Sequence, residues 1–388
     1  MKNIYKLIFL QFSLRGFTVS YSMFVFFVGL SLLELEVYGE VIVAVACFAL
    51  TARIVSWGFE FKIKELVREY SLSIVDMLVT KLFLALPACL LLLIILASND
   101  LGQYAVISIL ALVFYAFDSL AYHQAREDQG DVVVPVCFGM TSALLVLAAL
   151  FVLDKVTPEY YFSICVIGPS VGWIYVTLRR VSKEAQLPNI RTIKKLIING
   201  FQMFTVLQIG GLYTSLLPII IGSHSLVLAS VYSIVLRLSN FSKSFGLIVN
   251  QVFFYSDRAK SGKINVLLST GVSLFLALLS GLIVFEMYKQ KLSVIIDSQL
   301  FFTILVLVFV AVGAVANFLI IKIFFSTGEY LRYRNGAIFI ILIPVIWLWY
   351  SDVKATYTFI VHLCIELGLI IFALSNYFLK KRREGGTG

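Results

Sequence analysis

Charge is scarce in this sequence. Only 14% of its 388 residues are Asp, Glu, Lys or Arg, and 60% are hydrophobic. A soluble domain carries about a quarter charged residues, so that class is excluded. Cysteine is also sparse: Cys47, Cys89, Cys137, Cys165 and Cys364 fall at no metal-ligand or redox spacing. They read as small apolar residues, and neither a disulfide nor a metal site nor a cofactor is expected. The ten-residue alternation of a membrane β-barrel is missing. MKNIYKLIFL runs on into a long apolar segment without a small-residue cleavage pattern, so no cleavable signal peptide is expected.

What the sequence does have is long apolar runs. A helix needs about 20 such residues to cross a hydrocarbon core about 30 Å thick. Twelve segments qualify, near 8–32, 40–60, 75–97, 103–123, 132–152, 160–178, 197–221, 226–253, 265–287, 300–321, 336–350 and 356–379. The expected fold is an all-α polytopic membrane protein. Basic residues concentrate at the termini, including Lys2, Lys6 and Lys380 to Arg383, and on the connections after the even-numbered spans. The opposite connections hold only Lys155, Lys289, Lys291 and Lys354. The asymmetry assigns both termini to the cytoplasm. The net charge of +9 then reflects decoration beside anionic headgroups, and nucleic acid is not an expected partner.

The connections on the non-cytoplasmic side are short and leave no external domain for a catalytic site, so an enzyme is not expected. The longest polar connection, RRVSKEAQLPNIRTIKK, separates six spans from six. The expected organisation is a six-span bundle over 1–178, a cytoplasmic linker over 179–195, a second bundle over 196–380 and a tail over 381–388. The final GGTG reads as a cloning remnant. A shift of half the chain length aligns Tyr38 with Tyr232. An even number of spans per half makes the repeats parallel, an arrangement that transporters use.

Certain polar residues do not suit lipid. Arg15, in QFSLRGFTVSYS, shares one helical face with Gln11, Thr18 and Ser22, and the eighth span aligns Ser230, Ser233, Arg237, Asn240 and Ser244. The seventh adds Gln202, Thr205 and Gln208, the second Arg53 and the third Lys81. A mid-membrane Arg costs about 2.5–3.5 kcal/mol on insertion scales, so such stripes are expected to face one another or water. The simplest closure is a polar cavity lined by both bundles. Only two acids lie as deep, Asp118 and Glu366, and the cationic excess calls for an anion. Arg suits phosphate or diphosphate through its planar, permanently charged fork.

A structural role, with each arginine paired inside its own bundle, is the alternative reading. Lys243 is expected to snorkel to the cytoplasmic surface. His362 and Glu366, four residues apart, are candidates for an ion-coupling site, as is Asp118 with Tyr115 and Tyr122. The plain alternative for each is a satisfied buried contact.

LELEVYGEVIVAVACFALTARIVSWGFE, KLIINGFQMF and ASVYSIVLRLSNF resemble the first–second and seventh–eighth helix regions of Wzx-type lipid-linked oligosaccharide flippases. These belong to the multidrug/oligosaccharidyl-lipid/polysaccharide exporter superfamily. The resemblance implies two six-helix bundles in a V, related by a pseudo-twofold, with undecaprenyl-diphosphate-linked oligosaccharide as substrate and a bacterial inner membrane as location. A related peptidoglycan-precursor flippase uses arginines on its first, second and eighth helices, the spans that hold Arg15, Arg53 and Arg237 here. The chain departs from that relative in lacking two C-terminal helices and recognisable sodium ligands on the eleventh.

The expected function is translocation of an O-antigen or similar repeat unit during polysaccharide or lipopolysaccharide biosynthesis. The expected substrate-binding set is Arg15, Arg53, Arg237, Lys81, Gln11, Ser233, Asn240 and Gln208. A proton or sodium ion is the expected coupling cation, and membrane lipids and other polysaccharide-assembly proteins are the expected partners. A multidrug exporter of the same superfamily is the alternative, although cationic drugs favour an acid-rich cavity. A polysaccharide polymerase or ligase is a further one, disfavoured by the short outer loops.

Overall fold

A computed structural model describes residues 2–57, 72–126, 130–184, 187–254, 262–293, 295–296, 298–325, 328–351 and 355–385. Among the described residues there is no strand. Within them eight helices are long and apolar enough to cross a membrane, and Gly16–Leu32 and Gly102–Tyr115 are shorter apolar stretches. The protein is thus an all-helical, multi-pass membrane protein.

The chain divides into two compact units, Met1–Ile219 and Ile220–Gly388. The first contains α1 (Lys2–Leu32), α2 (Leu35–Ser56), α3 (Ile74–Ser98), α4 (Ala105–Tyr115), α5 (Leu120–Arg126), α6 (Gly130–Val152), α7 (Pro158–Glu184) and most of α8 (Ile190–His224). Of the stretch read as a linker, residues 179–184 extend α7, 190–195 open α8 and 187–189 belong to neither helix. The division falls within α8 because the start of that helix is built into the first unit. Leu196 joins a buried cluster with Leu72, Ile74, Met77, Leu84 and Tyr122, against which Trp57 packs.

Within this unit α7 is the common partner of α1, α2, α4 and α6. A reciprocal pair of tyrosines fastens α1 to α7. Tyr21 Oη donates to the Ile164 carbonyl at 2.8 Å, and Tyr161 Oη donates to the Val25 carbonyl at 2.9 Å. A Cβ on Gly168 or Gly29 would collide with the ring that faces it, so each tyrosine rests in a notch left by a glycine on the other helix. α6 and α7 cross at Gly139 and Gly172, where backbone meets backbone. Such small-residue crossings suit a solvent that offers no hydrophobic drive for helix association.

The span expected at 103–123 is broken. A 3₁₀ turn at Gly102–Tyr104 precedes α4, and residues 116–119 interrupt the helix before α5. Asp118 lies in that break, its Oδ1 accepting from the Leu120 amide at 3.0 Å. Ser119 and Thr177 hydroxyls lie 2.8 Å apart, and Thr177 also donates to the Phe117 carbonyl at 2.6 Å. The polar groups freed by the break are therefore taken up by α7. α3 starts with a capping box: Ser73 Oγ accepts from the Asp76 amide at 3.1 Å, and Asp76 Oδ2 accepts from the Ser73 amide at 3.4 Å.

The second unit holds α9 (Leu226–Phe254), α10 (Gly262–Met287), α11 (Lys289–Leu292), α12 (Gln299–Ile320), α13 (Tyr330–Tyr350) and α14 (Ala355–Gly385). α12 packs against α9, α10 and α14, and α14 also against α9 and α13. α12 ends in a π turn, Ile321–Phe325. Tyr38 of α2 is fully buried beside Tyr161 of α7, and Tyr232 of α9 is fully buried beside Phe359 and His362 of α14. Each tyrosine packs on a later helix of its own unit.

Candidate functional site

In the first unit the candidate site centres on Arg53, in the last turn of α2 and half-buried. Its guanidinium lies so close to Gly211 of α8 that a Cβ there would coincide with it. One turn on, Trp57 ends α2 in the left-handed region, at φ 45°. A bulky residue adopts that conformation at a cost of about 1–2 kcal/mol and persists only where its surroundings hold it. Here the indole stacks on Phe204 at 4.3 Å and 21°, and Nε1 donates to the Ile197 carbonyl at 2.8 Å. Gly200 admits the ring, since a Cβ there would stand 2.5 Å from Cδ1. Residues 197, 200, 204 and 211 share one face of α8 at helical spacing. That face clamps the end of α2 and with it the position of the Arg53 backbone.

In the second unit, charge gathers where α9, α12 and α14 meet. His362 and Glu366 share a face of α14 as their spacing requires, with Nε2 3.8 Å from Oε1. His362 stacks on Phe309 of α12 at 4.2 Å and 14°, and its Nδ1 lies 2.8 Å from Tyr232 Oη of α9. All four residues are buried. Lys243 departs from expectation. It is half-buried and its ammonium is turned inward onto α12, where a Cβ on Gly313 would overlap Nζ and stand 3.5 Å from Glu366 Oε1. The reason is electrostatic: the Glu366 carboxylate offers the ammonium a counter-charge, and the bare backbone at Gly313 leaves room to reach it. An ionisable cluster of this kind inside a helical bundle is a functional-site candidate by default.

The remaining candidates divide. Lys81, buried on α3, donates from Nζ to the Asp118 carbonyl, so the two meet through backbone in the α4–α5 break. On the α9 stripe Ser233 is buried, Arg237 half-buried and Asn240 exposed. Ser230 and Ser244 return their hydroxyls to the carbonyls of Leu226 and Asn240, at 3.1 and 2.7 Å, as Thr18 does to Leu14 at 2.8 Å. Each of those hydroxyls bonds back to a carbonyl on the preceding turn of its own helix. The side chains of Arg15, Gln11 and Gln208 lie outside the described residues.

Sequence reasoning missed Glu184 altogether. Its Oε1 accepts from Tyr122 Oη at 2.8 Å and from Arg180 Nε at 2.8 Å, and lies 3.2 Å from Arg126. Its Oε2 accepts from the Ile74 amide at 3.2 Å. One carboxylate thus ties α3, α5 and α7 together. Asp76 Oδ1 extends the lattice by accepting from the Asn189 amide at 2.7 Å. The only sequence signal was an acid amid a basic run.

Comparison with protein-family models, with curated proteins and with solved structures finds no match to this chain.

Proposed function

We propose that the protein is a flippase that moves an undecaprenyl-diphosphate-linked oligosaccharide, an O-antigen or similar repeat unit, between the leaflets of a bacterial inner membrane. Its twelve spans would form two six-helix bundles that alternate access, with both termini cytoplasmic. Transport is by conformational change and needs no chemical step on the sugar. The observation that carries the reading is Arg53, a permanent cation on a membrane-spanning helix, seated against the bare backbone of Gly211. A guanidinium on such a helix calls for a polar or anionic partner, and diphosphate matches its fork. Arg15 and Arg237 fit the same role by residue type and by the spans on which they lie.

The second strand of support is the Lys243–Glu366–His362 cluster. Under this reading, proton or sodium loading at Glu366 competes with Lys243 for the carboxylate and biases the equilibrium between transport states. A ligand shifts such an equilibrium only through its differential affinity for the two states.

The test is reconstitution into liposomes with a fluorescent lipid-diphosphate oligosaccharide, comparing intact protein with Arg53→Gln. The expected result is a loss of translocation of at least about tenfold, the equivalent of 1.4 kcal/mol. Full translocation by Arg53→Gln would remove that residue from the mechanism. Export of cationic dyes without any lipid-diphosphate transport would favour the multidrug reading instead.

A further inference from the structure

A groove runs between α6 and α7 on a face remote in purpose from the arginine and lysine clusters. Its volume is about 600 Å³, lined by Val134, Phe138, Val171, Tyr175 and Arg179 among others. That lies within the range of about 300–1,000 Å³ typical of small-molecule sites. Its origin is the glycine crossing: Gly139 and Gly172 bring the two backbones together, and without side chains there the surface on either side is left hollow. The lining is apolar and open. Val134 is 73% exposed and Phe138 74%, on helices that are both long and apolar enough to span a membrane.

The groove is closed at one end by charge. Tyr175 and Arg179 also line an adjoining recess of about 20 Å³ with His123, Arg180 and Lys183. That volume holds about one water molecule, so a larger anion would rest at its mouth. Arg180 and Arg126 are committed to Glu184, which neutralises the one acid described there. Arg179 and Lys183 remain exposed and form no ion pair among the described residues. This end of α7 is the one that the distribution of basic residues assigns to the cytoplasm.

The geometry points to a bound anionic phospholipid, one acyl chain lying in the α6–α7 groove and the headgroup phosphate held by Arg179 and Lys183. Apolar length that ends in cationic charge at the depth of the headgroups is the complement of such a lipid. Basic pockets between transmembrane helices recognise anionic headgroups in this way. The site is independent of the proposed flippase activity and does not rest on it.

The experiment is native mass spectrometry of the full chain released from mixed phosphatidylglycerol and phosphatidylcholine nanodiscs. Intact protein is expected to retain one phosphatidylglycerol in preference to phosphatidylcholine. The double variant Arg179→Gln/Lys183→Gln, both on the surface, should lower that preference at least about tenfold. Val171→Trp, which fills the groove but keeps the charges, should lower retention of both lipids. Equal retention of the two lipids by intact protein, or an unchanged preference in the charge variant, overturns the proposal. Displacement by millimolar inorganic phosphate together with indifference to Val171→Trp also overturns it, because it leaves a bare anion site without a lipid groove.

Discussion

Tyr232 and His362 lie 2.8 Å apart, Oη to Nδ1, and join α9 to α14 inside the second unit. The contact fixes the imidazole so that Nε2 is directed to Glu366 at 3.8 Å. Tyr232→Phe keeps the ring packing and removes the hydroxyl. A buried polar group left without its partner costs about 1–3 kcal/mol. Thermal unfolding in detergent should register that loss, and a variant as stable as the intact protein would show the contact to be incidental.

Gly313 governs the reach of Lys243. Gly313→Ala places a methyl group where Nζ stands, and because the lysine tip is flexible the collision is relieved by lifting the ammonium away from Glu366. Stability should change by less than about 1 kcal/mol, as alanine gains helix propensity over glycine. The dependence of transport on a pH or sodium gradient should fall. Transport driven as in the intact protein would separate Lys243 from coupling.

Glu366 and Lys243 form a natural double-mutant cycle. Removing Glu366 leaves the inward-turned ammonium of Lys243 without its nearby counter-charge. Glu366→Gln alone should therefore destabilise more than Glu366→Gln combined with Lys243→Met. Strictly additive effects of the two substitutions would show that they do not interact. If protons drive transport through Glu366, Glu366→Gln also loses pH-gradient dependence.

Gly211→Ala tests Arg53 without touching it. The new methyl group takes the space of the guanidinium and must push it aside, while the helix itself gains up to about 1 kcal/mol in propensity. Unimpaired thermal stability with an about tenfold loss of lipid-diphosphate transport is the expected pairing. Full transport by a stable variant would count against the position of Arg53 as a binding determinant.

Glu184→Gln weakens the lattice that ties α3, α5 and α7. The amide can still accept from Tyr122 but loses its charge-assisted bonds to Arg180 and Arg126, each worth about 1.5–3 kcal/mol at most and less for the more exposed Arg126. Hydrogen exchange should rise at the Ile74 amide and around α5. Unchanged exchange there would make the lattice decorative.

The apolar runs made the membrane class and the helical build legible, because hydrocarbon forces each backbone group to bond within its own segment. The His362–Glu366 pairing was legible too, since four residues along a helix fix two side chains on one face. The break at 116–119 was not. Its polar groups are satisfied by Thr177 and Lys81, residues far along the chain. On α9 the serine period alone does not say that the Ser230 and Ser244 hydroxyls also bond back to their own helix.

By itself the sequence determined a multi-pass helical membrane protein with scarce, clustered intramembrane charge, because length, apolarity and helical period are local properties of the chain. Only the tertiary structure decided that Lys243 turns inward to Gly313 and Glu366, that Gly211 receives Arg53, and that Glu184 ties three helices. Those outcomes depend on which glycine faces which long side chain across a helix contact. Such pairing is set by packing between distant segments, which no periodicity within one segment encodes.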